Sequence, residues 1–470
     1  MNFDEILKII FLSTLCFILA ACATQEEKEE DKPVTTAEAF PSTYQAIASQ
    51  PVIIRNATIL TGTGEQLSGV SVLMVNGRIQ SIDRQIANPG SAKIIDATGK
   101  WLTPGLIDVH SHLGVYPSPS HEANADGNEL TNPNTAEVWA EHSVWTQDPQ
   151  FTLALAGGVT TLQVLPGSAN LFGGRGITLK NIPARTVQAM KFPGAPYSLK
   201  MACGENPKRV YGERNQAPGS RMANVAGYRS AWIEAKAYLK KFEEYEEELA
   251  KGEEPDEPER NLQLETLAEV LKGNILVHNH CYRGEEMAVM IDIAKEFNYK
   301  ITAFHHAVEA YKIADILAEN NVCAAMWSEW WGFKHEAFDM VEENVAMVDA
   351  AGACAIVHTD SPIGIQHMNQ ETAKIIAAAN KSGFKVSPAH AIKWITLNAA
   401  QALGIEEQTG SLEVGKMADV VLWDGDPFSV YSRAEMVFID GAQVFDLNDR
   451  SLQPATDFDL GILDPEGERL

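Results

Sequence analysis

The chain is poor in positive charge. Only 37 Lys and Arg stand against 63 Asp and Glu in 470 residues, a formal net charge of −26. Binding to nucleic acid needs clustered cations against phosphates, so nucleic acid is excluded as a partner, and the acidity reads as solubility. Cysteine is also scarce, with six residues and no Cys-x-x-Cys spacing, which excludes a thiolate zinc module or a redox dithiol. Cys16 and Cys22 fall near the N-terminus. Cys203, Cys281, Cys323 and Cys354 fall in apolar, strand-like runs and read as buried small hydrophobes rather than a disulfide framework; an oxidising periplasm leaves a Cys323–Cys354 bridge open, but it is not the expected state. Long apolar runs are missing too, since residues 9–18 are too few to span a bilayer as a mature helix.

What is present fits a large globular fold. Hydrophobic residues make up 45% and charged residues 21%, as in ordinary globular proteins, and the length allows a barrel-sized core with a satellite domain. The apolar run at 9–18 leads into Leu19-Ala20-Ala21-Cys22. Small residues before a Cys after such a run resemble a bacterial lipoprotein signal over residues 1–22, with Cys22 lipidated. Asp4 and Glu5 offset Lys8 where a net positive segment is usual, and a secretory signal with an incidental cysteine is the other reading. The lipoprotein reading places the protein at the bacterial cell envelope, facing the periplasm, with membrane contact only through the lipid. Residues 23–50 are polar and Glu-rich, with Pro33 and Pro41, and read as a flexible linker.

Residues 51–103 contain short β-like runs with Asn76-Gly77 as a hairpin turn. Beyond Leu102 short apolar runs alternate with amphipathic helical stretches, which predicts βα units, a parallel barrel and an α/β fold over 104–409. The candidate strands are 106–110, 159–165, 176–180, 198–203, 275–281, 300–306, 322–327 and 353–360. From residue 410 the β texture returns, and 51–103 with 410–470 are expected to form one small composite β-sandwich. Residues 223–272 interrupt the pattern with a helix over 231–250 and an acidic stretch through Arg260. A solvated surface excursion is the preferred reading, and a lid over the site is the alternative.

The most informative stretch is Thr103-Pro104-Gly105-Leu106-Ile107-Asp108-Val109-His110-Ser111-His112. Residues i and i+2 of a strand share a face, so His110 and His112 would present two imidazoles side by side, a common way to hold a first-row metal ion. Barrel sites lie at the C-terminal ends of strands. Taking the strand ends in order adds Lys200, His280 with His278 on the same face, His306 beside His305, and Asp360. Four histidines, a lysine and an aspartate on successive strands point to a metal site rather than to packing. A buried lysine can lose its proton. The neutral amine can then take up carbon dioxide as a carbamate able to bridge two metals about 3.5–4 Å apart. Glu205 and Lys180 are rival bridging ligands.

With these motifs, Ala156-Gly157-Gly158-Val159-Thr160-Thr161, Thr396-Leu397-Asn398-Ala399-Ala400 and the run from Gly410 to Val421, the chain resembles the amidohydrolase superfamily. It is most similar to the imidazolonepropionase-like branch that includes prolidase-like dipeptidases. The resemblance implies a (β/α)8 TIM barrel with His110, His112, Lys200 (carbamylated), His280, His306 and Asp360 as metal ligands. One or two divalent ions, zinc foremost, are implied as cofactors. The doubled histidines leave the register open between His278 and His280 and between His305 and His306. The implied reaction is hydrolysis of an amide, dipeptide or cyclic amide, with Asp360 as general acid and base and Tyr282 and Arg283 against the substrate. A mononuclear deaminase is the rival within the superfamily. Such deaminases place a glutamate three residues after the fifth-strand histidine, where this chain has Arg283. A non-catalytic lipid-anchored binding protein is the rival outside it. A homo-oligomer stays open.

Overall fold

The computed structural model describes residues 40–453; the expected signal with Cys16 and Cys22, the linker up to residue 39, and residues 454–470 lie outside the described residues. The described chain begins with a sheet. β1 (Val52–Leu60), β2 (Gln66–Val75) and β3 (Arg78–Asp83) form an antiparallel meander. The β2–β3 turn is Asn76-Gly77, with φ of 51° and 79°, the doubly left-handed geometry a tight hairpin needs. β4 (Lys93–Asp96) and β5 (Trp101–Pro104) pair with the other edge of β1.

The chain then crosses at Gly105, where a Cβ would stand 2.0 Å from Thr160 Oγ1, and enters the barrel. Its strands are β6 (Leu106–Ser111), β7 (Val159–Val164), β8 (Phe172–Lys180), β9 (Ser198–Ala202), β10 (Leu276–Cys281), β11 (Ala303–His306), β12 (Cys323–Met326) and β13 (Ala355–Val357), hydrogen-bonded in that order. β14 (Val420–Trp423), β15 (Ala434–Ile439) and β16 (Ala442–Asp446) return to the first sheet, β14 pairing with β5. The period-2 pattern of β14 shows why both units need it. Val420 and Leu422 join the core of the sheet domain beside Ile54, Val72 and Phe438. Val421 and Trp423 point the other way, into the barrel's core, as alternate strand residues must.

The barrel is not wholly parallel, as the alternating pattern had predicted. β8 runs antiparallel to both β7 and β9. Residues 165–171 join β7 to β8 without a helix, and so short a link cannot cross over to a parallel neighbour. At the other end of the order, Thr359 Oγ1 donates to Asp108 Oδ2 at 2.7 Å, tying the segment after β13 to β6 across 251 residues of sequence.

Residues 223–272 are more than a solvated excursion. The helix Arg221–Ala250, capped by Ser220, buries Asn224, Tyr228, Ala231, Trp232, Ala235 and Tyr238 along one stripe. Trp232 and Tyr228 meet Phe172 of β8 edge-on, so the first half of the helix covers the barrel and its Glu-rich end is exposed. Among the described residues no helix is long and apolar enough to cross a membrane.

The cysteines correct the expectation. Cys203 is bonded to Cys281 and Cys323 to Cys354, with Cα separations of 5.1 and 4.4 Å. Each pair joins neighbouring barrel strands or the loops at their ends, and the partners lie 78 and 31 residues apart. Only the strand order brings them together, and local spacing carries no trace of it.

Candidate metal centre

The strand ends of the barrel converge on a small buried space. β6 runs through Asp108-Val109-His110-Ser111 with His112 the residue after it, and Asp108, His110 and His112 alternate with the apolar side of the strand. His112 Nδ1 donates to the Leu165 carbonyl at 2.8 Å. That contact orients the ring and turns Nε2 toward Asp360 Oδ1 at 3.2 Å. His110 Nε2 lies 3.6 Å from the same oxygen, and His306 Nδ1 lies 3.9 Å from Asp360 Oδ2. Lys200 starts one layer deeper, level with His278 in the strand register, and its long side chain brings Nζ to 3.2 Å from His110 Nε2.

The doubled histidines occupy two levels of the barrel. His280, His306 and His110 are near neighbours, with ring centroids 4.5 Å (His280–His306) and 4.8 Å (His110–His306) apart. His278 and His305 lie behind them, with His278 Nδ1 2.8 Å from His305 Nε2. The register could not be read from the sequence because His306 and Ala307 leave the strand in left-handed conformations, φ 68° and 40°. Asp360 is also left-handed, φ 52°. Strain of this kind costs about 1–3 kcal/mol per residue and collects at functional sites.

Of the other expected residues, Tyr282 is buried, its ring stacked on His306 and edge-on to His280. Arg283 turns its guanidinium to Glu285 at 2.6 Å. Glu205 pairs with Lys334 at 3.3 Å. Lys180 lies between the barrel and the sheet domain, with Nζ 3.0 Å from both Asp419 and Asp440, so neither rival bridging residue meets the cluster.

Several residues at the site went unrecognised. His358 is fully buried, its ring stacked on His110 at 5.1 Å, and it accepts the His306 N–H on Nε2. The His-x-Asp spacing of His358 and Asp360, the same i, i+2 signal as His110 and His112, would have found it. Asp108 is buried, accepts from His110 N and Thr359 Oγ1, and has its pKa raised to about 7 by burial. Trp327 stacks on His306 at 4.2 Å and Trp330 on Trp327 at 5.0 Å, giving the mouth an aromatic wall.

Electrostatics favour an added cation. Burial first lowers the pKa of Lys200, to about 7. Burial also drives His110, His280 and His306 well below the ordinary value, which keeps them neutral and able to donate lone pairs. Burial acts to raise Asp360, but the His112 hydrogen bond and neighbouring positive groups outweigh it and hold the carboxylate ionised. The Nδ1 atoms of His280, His306 and His358 are buried without a hydrogen-bond partner among the described residues. Each such orphan costs about 1–3 kcal/mol, and a bound cation would relieve those that coordinate it. His110, His306 and His358, and again His110, His112 and Asp360, bring donor atoms within 4.8 Å of one another, so the donor set fits a divalent metal.

A barrel with a nitrogen-rich, carboxylate-bearing mouth defines a class of metal-dependent enzymes. The chain belongs to the amidohydrolase family, whose pattern matches residues 101–450; this family acts on carbon–nitrogen bonds and holds divalent metals through His and Asp. It is 32% identical over 435 residues to the amidohydrolase tasK of Hapsidospora irregularis, covering 84% of this chain but only 43% of that longer protein. It is 24% identical over 358 residues to an imidazolonepropionase of Mesorhizobium japonicum, covering 72% of this chain and 81% of that relative. A crystal structure of an amidohydrolase from Thermotoga maritima MSB8 superposes with a TM-score of 0.77 and 36% identity, covering 84% of this chain and all of that one. A putative prolidase from Bifidobacterium longum, 17% identical with a TM-score of 0.50 over 87% of this chain and 96% of that one, shares the fold.

Proposed function

We propose that this protein is a metal-dependent hydrolase cleaving the carbon–nitrogen bond of a small amide, dipeptide or cyclic amide. The observation that carries the proposal is Lys200, wholly buried, without an ion-pair partner among the described residues, and in contact with His110. With a pKa near 7, much of this amine is uncharged at neutral pH. It can add to carbon dioxide, forming an N–C bond and releasing a proton, to give an anionic carbamate. That carbamate with His110, His112, His280, His306 and Asp360 would hold one or two divalent ions, zinc foremost. Bound ions would supply Lewis acidity and acidify water.

The remaining roles belong to the chain. Asp360 takes the proton of the attacking water as the new C–O bond forms, and passes it to the leaving nitrogen as the C–N bond breaks. Tyr282, wedged against His280 and His306, contacts the substrate, and Arg283 does so by exchanging Glu285 for a substrate carboxylate. We also read residues 1–22 as a lipoprotein signal that anchors the protein at the periplasmic side of the cell envelope. The two disulfides support an oxidising compartment.

The test is metal content by elemental analysis of wild type beside Lys200→Ala, with turnover of a dipeptide and cyclic amide panel. Near two ions per chain, falling sharply in the variant along with turnover, is expected. Near one ion in both proteins, with turnover of an amino-purine instead, would overturn the bridging lysine and favour a mononuclear deaminase.

A further inference from the structure

Behind His110 runs a chain of buried imidazoles, His278 and His305, that the proposed reaction does not use. His278 Nε2 lies 3.1 Å from the Ala402 carbonyl, in the last turn of the helix Leu397–Leu403, where carbonyls lack intrahelical donors. His278 Nδ1 lies 2.8 Å from His305 Nε2, and His305 Nδ1 lies 2.9 Å from His110 Nδ1. All three rings are almost wholly withdrawn from solvent.

The protons on this chain follow from its anchored end. A carbonyl only accepts, so His278 carries its proton on Nε2. A neutral ring then offers Nδ1 as acceptor, and His305 must donate from Nε2. His305 in turn accepts on Nδ1, so His110 must donate from Nδ1. The lone pair of His110 is therefore left on Nε2, the atom that faces Lys200 and Asp360. Burial without a contacting carboxylate keeps the chain neutral, since an imidazolium there would be an uncompensated buried charge.

We propose that His278 and His305 are positioning residues that lock His110 in its Nδ1–H form, so that a backbone carbonyl two imidazoles away fixes which nitrogen His110 presents to the metal. Metal-binding histidines usually have the other nitrogen held directly by a carbonyl, carboxylate or water; here the hold is relayed. The inference rests on the metal-site reading above. It makes His305 essential to the site although its ring contacts His110 only on the side away from Asp360.

The experiment is a competition titration of metal-free protein with zinc against a chromophoric chelator, for wild type, His305→Phe and His305→Gln. His305→Phe should weaken zinc binding about 10–100-fold. His305→Gln, whose amide can accept from His110 and donate to His278, should recover most of the loss. Equal affinity in all three, with wild type binding tightly, would overturn the relay and leave the metal site standing; no binding by wild type would overturn the metal site itself. If His305→Phe does not fold, nitrogen-15 NMR of the wild-type histidines decides. A proton on His110 Nδ1 supports the relay, and a proton on Nε2 overturns it.

Discussion

Two lysines, Lys180 and Lys200, are among the largest fully buried side chains of the molecule, and they live in opposite surroundings. Lys180, between barrel and sheet domain, reaches Asp419 at 3.0 and 3.1 Å and Asp440 at 3.0 Å. Asp440 is itself bonded to the Tyr44 hydroxyl, and Asp419 accepts from Thr409 Oγ1 and Asp440 N. Lys200 meets an imidazole. Burial is the same and only the partners differ: one lysine is held by two carboxylates in a structural joint, and the other stands without an anion in the candidate site, where burial lowers its pKa to about 7. A charged amine inside a protein is held by its hydrogen-bonded anions, and where they are withheld desolvation turns it into a nucleophile or ligand precursor.

The contrast can be broken by substitution. Lys180→Met should be the most damaging change, because it leaves two carboxylates buried without their cation. A loss of about 3–5 kcal/mol is expected in urea unfolding. Lys200→Met should instead be neutral or mildly stabilising in metal-free protein, since an apolar side chain replaces an uncompensated amine. Equal destabilisation by both would dissolve the distinction. The pH dependence sharpens it. Lys200 titrates near 7 when folded against an ordinary 10.5, so across that window the unfolded chain holds the extra proton and stability rises with pH. The rise is about 1.4 kcal/mol per pH unit, and a series of melting temperatures from pH 7 to 10 should show it in metal-free wild type and lose it in Lys200→Met. Smallest is Tyr44→Phe, which removes one hydroxyl from Asp440 and should cost about 1 kcal/mol by the same unfolding assay.

Much of this was legible in the sequence, and the failures have physical causes. The spacing of His110 and His112 could be read because a strand's period is two and both residues fall on one face. The strand positions could be read because each barrel strand is a short apolar run. The direction of His306 could not, because a left-handed backbone there overrides strand alternation. The direction of β8 could not, because its apolar pattern is the same whichever way it runs. The disulfides depend on which strands become neighbours. Lys180 and Lys200 look alike in sequence, each the lone cation of its short candidate strand, with an apolar neighbour. Only Asp419 and Asp440, about 240 and 260 residues beyond Lys180, tell them apart.

The clamp between Asp108 and Thr359 has a bearing on the order of events as the protein forms. It joins the first barrel strand to the segment after the last, 251 residues apart, and His110 lies two residues beyond Asp108 and Asp360 the residue after Thr359. Closing so long a loop pays its entropy before any contact rewards it. The proposed ligand set is thus complete only when both ends of the barrel sequence have met. If the proposed site holds a metal, a chain cut short before residue 360 would carry most of the proposed ligands and lack Asp360.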